Sequence, residues 1–280
     1  MIPRMQETLE FLQTPLQKEL LKDISGNVPD EIKEVALKWL SIFEGTGKGF
    51  AASIKNRWKV TDVSVIPHPD DSFQKEGRVT LEVDVTPVGT PFEALSMASL
   101  ADPSDYSQIT GNAPEQVKEA ALTWYKLLQG HTYIGFGYHV RRKLRILEVS
   151  VEPSPDDPQA ECTKMVCEVE IGSEMCNAQG ALDHGCMMFL IDEGSAISLL
   201  LLKIYKEHPE SMIGVSQTFN IMFHDPPPRV GTTLRVVNRS ISFNDGIGIG
   251  SCSTEIWDED KHRLVVSGSQ MQVQASKTKS

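Results

Sequence analysis

The residue whose chemistry stands out is Asp192. It falls in a run that is apolar on nearly every side, with Met187, Met188, Phe189, Leu190 and Ile191 before it and Ala196, Ile197 and Leu199–Leu202 after it. At helical spacing it shares a face with Met188, Ser195 and Leu199. A carboxylate withdrawn from water is costly unless paired or protonated, and burial raises its pKa. Such a group is suited to taking a proton from a reactant. A satisfied or partly hydrated carboxylate near a helix end would give the same pattern. Glu193, one position on, faces elsewhere and reads as a solvated or dimer-contact charge.

A second candidate is the turn that leads into this run, Asn177-Ala-Gln-Gly-Ala-Leu-Asp-His-Gly185. The first turn of a helix has unpaired N–H groups and a positive dipole end. A carbonyl oxygen placed there is stabilised as it becomes an oxyanion. The commoner arrangement is a plain capped helix, with Asp183 as the cap. Ser216, in Gly214-Val-Ser-Gln, either holds a water or satisfies itself in a strand. No Gly-x-Ser-x-Gly elbow occurs, so a serine nucleophile of that kind has no support. His184 is the histidine of the candidate turn. His68, His131, His139, His208, His224 and His262 are scattered without metal-ligand spacing, and neither a metal nor an organic cofactor is expected.

These residues need elements to hold them. From 181 to about 205 the chain reads as a helix apolar all round, which must be enclosed by other structure. Four strands follow, over 213–223, 232–243, 248–257 and 263–274, with the polar break 206–211 before them. The Asp245-Gly246 pair marks a tight hairpin between the second and third. One enclosed helix followed by a run of antiparallel strands is an α+β pattern, most simply packed with the sheet curled around the helix.

The opening of this domain occurs twice. ISGNVPDEIKEVALKWLSIFEG (24–45) returns as ITGNAPEQVKEAALTWYKLLQG (109–130), 85 positions on. One residue is then added, and WKVTDVSVIPHPDD from Trp58 matches LRILEVSVEPSPDD from Leu144. Each copy predicts an amphipathic helix, with Val117, Ala120, Ala121, Trp124, Tyr125 and Leu128 as its apolar stripe in the second. Each then predicts two alternating strands, joined in the second copy by a Pro155-Asp-Asp-Pro turn. The match ends near Val85 and Ile171. The expected organisation is a helical segment (1–23), a partial repeat (24–85), a linker (86–108), a complete domain (109–275) and a tail (276–280). The partial repeat lacks the central helix and so has no site of its own. We expect its strands 58–66 and 78–85 to pair with each other and the unit to dock on the complete domain.

The segments NAQGALDHGCMMFLIDEGSAISLLL, GVSQTFNIMFHDPPPRVGTTL and FNDGIGIGSCSTEIWDED, in this order, resemble the hotdog-fold acyl-CoA thioesterases. The branch is that of the PaaI-like and thioesterase-superfamily-member proteins, and the resemblance covers about 109–275. It implies a central helix wrapped by an antiparallel sheet, paired into a homodimer or dimer of dimers. It also implies that Asn177 positions substrate or water, that the helix-start N–H polarises a thioester carbonyl, and that Asp192 acts as general base or nucleophile. Ser216 would position the attacking water, and the Asn and Asp of one site would come from different protomers. The family has His-Gly-Gly where this chain has Asp183-His184-Gly185, so the oxyanion donor would be the His184 N–H, beside the Asp183 carboxylate. The implied function is hydrolysis of acyl-CoA to acid and CoA. A non-catalytic acyl-CoA binder or assembly subunit, and a hydratase/dehydratase using Asp183-His184, remain as alternatives.

Composition narrows the rest. Lys and Arg number 27 against 38 Asp and Glu, a net charge of −11, which disfavours nucleic acid as a partner. An anionic small ligand needs only a local basic patch, for which Arg229, Arg235, Arg239, Lys277 and Lys279 are candidates toward CoA phosphates. The five cysteines, Cys162, Cys167, Cys176, Cys186 and Cys252, are odd in number and form no Cys-x-x-Cys, which suggests reduced thiols. The N-terminus carries Glu7, Glu10 and Glu19 and reads as neither a signal nor a transit peptide. The expected compartment is cytoplasmic, with mitochondrial also open. Asp192 and Glu193 interrupt the apolar stretch 186–204, so no membrane span is expected. That compartment also argues against use of the Asn238-Arg-Ser240 glycosylation acceptor.

Overall fold

A computed structural model describes residues 14–44, 58–67, 74–83, 106–129, 137–154, 157–207 and 214–273. Part of the expected N-terminal helical segment, most of the linker, the first half of the Pro155–Pro158 turn, most of the 206–211 break and the tail lie outside these residues. So do His68, His131, His208, Lys277 and Lys279. The chain divides into two compact units, 1–89 and 90–280.

In the first unit a short 3₁₀ turn, Lys18–Leu21, precedes helix α1 (Asp30–Glu44), and β1 (Trp58–Pro67) pairs antiparallel with β2 (Lys75–Val83). Its small core is Leu21, Ile24, Val60 and Val63, with Val28, Ala36, Leu37 and Trp58 packed on it.

The second unit opens the same way, with α2 (Glu115–Gln129), the single turn α3 (Tyr138–Arg141), β3 (Arg145–Pro153) and β4 (Glu161–Glu170). The long helix α4 (His184–Tyr205) then leads to β5 (Val215–Phe223), β6 (Thr233–Asn244), β7 (Ile249–Asp258) and β8 (Arg263–Val273). The six strands form one sheet in the order β3-β4-β6-β7-β8-β5, every neighbouring pair antiparallel. Helix α4 lies on β4, β6, β7 and β8 and carries the chain from β4 to the far edge, where β5 is added. This is the hotdog fold, as the resemblance implied.

Met187, Ile191, Ile197 and the four leucines Leu199 to Leu202 are almost wholly removed from water. Each such side chain contributes about 1.5–3 kcal/mol of gross hydrophobic stabilisation. Helix and sheet approach closely at Gly194, where a Cβ would stand 2.2 Å from Asn238 Oδ1. Asn238 is itself buried, donating to the Met165 carbonyl and accepting from Thr254 Oγ1. The glycosylation acceptor is therefore a core residue, a stronger reason against its use than the compartment. Helix α4 passes a length and composition test for a membrane span, and 72% of its most apolar window is buried within the protein.

Candidate active site

Helix α4 begins at His184, three residues later than the apolar pattern suggested. Asp183 is the N-cap, and its Oδ1 accepts from the Gly185 N–H at 2.8 Å. The capping reading of Asp183 thus holds. The Gly185 amide is committed to that carboxylate, whereas the His184 N–H makes no hydrogen bond within the described residues. The His184 ring lies edge-on to Phe223 at the end of β5, with centroids 4.6 Å apart.

The loop before the helix is held by Asn177. Its Oδ1 accepts from the Gln179 and Ala181 N–H groups at 3.0 and 3.2 Å, while its own N–H donates to the Ala181 carbonyl. The side-chain oxygen is thus spent on shaping the turn. The Arg229 Nη1 donates to the Gln179 carbonyl at 3.3 Å, and Ala181 bridges to Arg229 through the backbone.

Two turns inside α4, Asp192 meets Ser216 of β5. The serine hydroxyl donates to Asp192 Oδ1 at 2.8 Å. The same end of the sheet adds two glutamines. Gln270 Nε2 donates to the Asp192 carbonyl at 2.9 Å and to Ser195 Oγ, and Ser195 Oγ donates to the Ile191 carbonyl. Gln272 stands across the strand pair from Ser216. Gln270 and Gln272 are 3% and 2% exposed, and the Oε1 of each is buried with no hydrogen-bond partner among the described residues. A buried acceptor calls for a donor, so this is a polar patch in an otherwise apolar interior.

Sequence reasoning missed both glutamines. In Gln270-Met-Gln-Val273 it is the glutamines that face the helix, and the alternation of apolar residues pointed the other way. Glu193 also differs from expectation. It is largely enclosed and forms a forked ion pair with Arg141 of α3, whose guanidinium also lies over the Phe189 ring at 5.1 Å. Burial pushes its carboxyl up, opposed by Arg141. The reason is packing of α2 and α3 against this side of the domain, which a helix read in isolation does not show.

The cysteines are all free and buried. Burial pushes the Cys167 and Cys252 thiols up to about 12, so neither is a ready nucleophile. Of the expected basic residues, Arg239 faces Glu255 at 3.8 Å. Arg235 lines a cleft of about 630 Å³ beside α2 and β3 that includes none of Asn177, His184, Asp192 or Ser216. Among the described residues no group of three or more His, Cys, Asp and Glu could hold a metal.

No family model matches the chain, and no curated protein matches it. Solved structures do. Zebrafish thioesterase superfamily member 2 is 19% identical, with a TM-score of 0.40 over 51% of this chain and 89% of that one. The Escherichia coli PaaI protein of the phenylacetic acid degradation operon is 17% identical, with a TM-score of 0.33 over 40% and 73%. A Streptococcus mutans protein solved with bound acetyl CoA is 14% identical, with a TM-score of 0.34 over 40% and 82%.

Proposed function

We propose that the chain hydrolyses acyl-CoA thioesters to free acid and CoA, at a site completed by a second copy. The observation that carries this reading is the Asp192–Ser216 hydrogen bond, which sets a carboxylate beside a hydroxyl at the edge of the sheet. Asp192 Oδ2 takes the proton of a water as the water oxygen bonds to the thioester carbon. The His184 N–H, at the positive end of α4, receives the oxyanion. The tetrahedral intermediate then collapses, the C–S bond breaks, and the proton held by Asp192 passes to the leaving sulfur.

Helix geometry supports a site shared by two copies. His184 and Asp192 are eight residues apart, about 12 Å along the axis. A carbonyl held about 3 Å from its donor, with its water about 3 Å from the base, spans less than that. The strand β5 offers a solution. It is the open edge of the sheet, and Val215 and Met222 on it are 65% and 61% exposed. Ser216 lies near one of its ends and Phe223, which carries the His184 ring, at the other. Antiparallel pairing of β5 with the same strand of a second copy, about a two-fold axis near Phe219 and Asn220, sets Ser216 beside the partner's Phe223. The partner's helix start then reaches the Asp192 of the first chain. Asn177 shapes the loop that presents this helix start.

The test is a panel of acyl-CoAs with free-thiol detection, run on the unmodified protein and on Asp192→Asn. Thiol release that falls by about 10²–10⁴-fold in the variant is expected for loss of a general base, with acyl-CoA still bound. Binding without hydrolysis in the unmodified protein would replace this reading by the non-catalytic binder. Full activity in Asp192→Asn would remove Asp192 from the reaction.

A further inference from the structure

The first unit repeats the opening of the second but leaves the β2 side of its inner face exposed. On β4 the residues Met165, Cys167 and Val169 are buried, on the face whose Thr163 donates to the Ser198 carbonyl of α4. Their counterparts on β2, 86 positions earlier, are Val79, Leu81 and Val83, which are 50%, 45% and 43% exposed. On the helix, Val117 is fully buried and its counterpart Ile32 is exposed, as is Val35. A solvated strand face normally carries polar residues, and a contiguous exposed apolar patch marks an interaction surface.

The backbone is unfinished in the same place. β4 pairs with β6 on the edge away from β3. β2 has no strand on the corresponding edge among the described residues, while the outer edge of β1 is taken by the Ser25–Asp62 bridge. β2 contains no Pro, so every residue on that edge keeps an N–H to offer, and its charged residues Arg78 and Glu82 select which strand can pair there.

We propose that this edge is a self-association surface, on which a second copy of the chain adds its β2 antiparallel about a two-fold axis at Thr80. The charge pattern of the strand favours this register. With Thr80 opposite the partner's Thr80, Arg78 stands opposite the partner's Glu82, and Glu82 opposite the partner's Arg78. On the other face Val79 stands opposite the partner's Leu81, and Gly77 opposite the partner's Val83. Every charged cross-strand pair from 77 to 83 is then of opposite sign, and the two apolar faces join on one side of a four-stranded sheet carrying both α1 helices. Among the described residues Arg78 makes one ion pair, along its own strand to Glu76 at 3.7 Å. The surface lies in the unit that lacks Asp192, so it stands or falls independently of the hydrolase reading.

Thr80→Cys in the full chain tests it, because the native cysteines are all buried and cross-strand Cα separations suit a disulfide. Mild oxidation should give a covalent dimer with Thr80→Cys and not with Lys59→Cys on β1. By sedimentation, Arg78→Glu should weaken this association step about tenfold through two reversed charge pairs. The double swap R78E/E82R should restore it, and thioester hydrolysis should not change. No covalent dimer above the Lys59→Cys background, or sedimentation indifferent to the swap, overturns the proposal. So does slow exchange, in a monomer, of the β2 amides that point away from β1, because another segment of the same chain then covers that edge.

Discussion

The two openings share most of the hydrogen bonds that shape them. Asn27 exchanges two hydrogen bonds with the backbone of Val65, and Asn112 does the same with Val151. Lys33 reaches the Ile24 carbonyl as Lys118 reaches that of Ile109. The register shift of the hairpin falls between Val60 and Asp62 in one and between Ile146 and Glu148 in the other. Gly26 and Gly111 both take positive φ, with a would-be Cβ 1.9 and 2.3 Å from the Val63 and Val149 carbonyl oxygens. Yet one unit is mostly solvated and the other holds a deep core. Turn chemistry, caps and bulges therefore build this motif without help, whereas its burial depends on α4 and the strands after it. Local geometry and core formation are separable here, and the molecule contains both halves of the experiment.

The sharpest break between the copies is an acid on the inner face. Cys167→Asp buries a charge that burial would otherwise exclude, and should cost the second unit more than about 4 kcal/mol. Leu81→Asp at the matching position should cost the monomer less than about 1 kcal/mol, because that site is already wet. Denaturant unfolding followed separately for each unit reads both. If the two substitutions cost the same, β2 is as enclosed as β4 and the comparison fails.

Asn27→Ala and Asn112→Ala should behave alike. Each removes two side-chain bonds to a neighbouring strand, worth about 1–2 kcal/mol together, and each should lower the melting transition of its own unit only. A much larger effect of Asn112→Ala would show that the motif is stabilised by its surroundings rather than by itself.

The smallest effect is on pH dependence. Asp62 and Glu148 occupy the same position in the repeat. Hydrogen bonds from Ser64 and Ser25 hold the Asp62 carboxyl below its ordinary range. Burial pushes Glu148 up, but Ser150 and Lys164 outweigh it and the net direction is down. Stability from both groups is complete above the unfolded carboxylate pKa, about 4, and is lost as pH falls through the lower folded values. Glu193 has no counterpart in the first unit, and its carboxyl is raised. Its contribution is complete below about 4.3 and is lost as pH rises through the folded value. Melting temperatures from pH 3 to 7 should show a flattened acid limb in Glu148→Gln. In Glu193→Gln the slope above about pH 4.3 should flatten instead.

Much of the architecture was legible in the residues. The repeat, the enclosed helix, the strand sequence and the pairing of the first two strands all follow from periodicity and turn chemistry. Periodicity did not bring Asp192 and Ser216 together: only the resemblance put both in one site, and the hydrogen bond between them is seen in the structure. The inner residues of β8 were not legible. An alternation of Gln with Met and Val names a face only if the core is apolar, and here the core beside Asp192 is polar. The Glu193–Arg141 pair was hidden because its partner lies 52 positions away, on an element of one turn. The start of α4 was misplaced because Ala181 and Leu182 are as apolar as the helix, and only the Asp183 cap separates loop from helix.

All five thiols lie in the second unit, and all are sealed from solvent. Their alkylation must wait for that unit to open, so the rate at which a maleimide is consumed is a clock for its breathing alone. The first unit contributes no signal. A single chain thus carries a native reporter for one of its parts and an unlabelled internal control in the other, without a substitution in either.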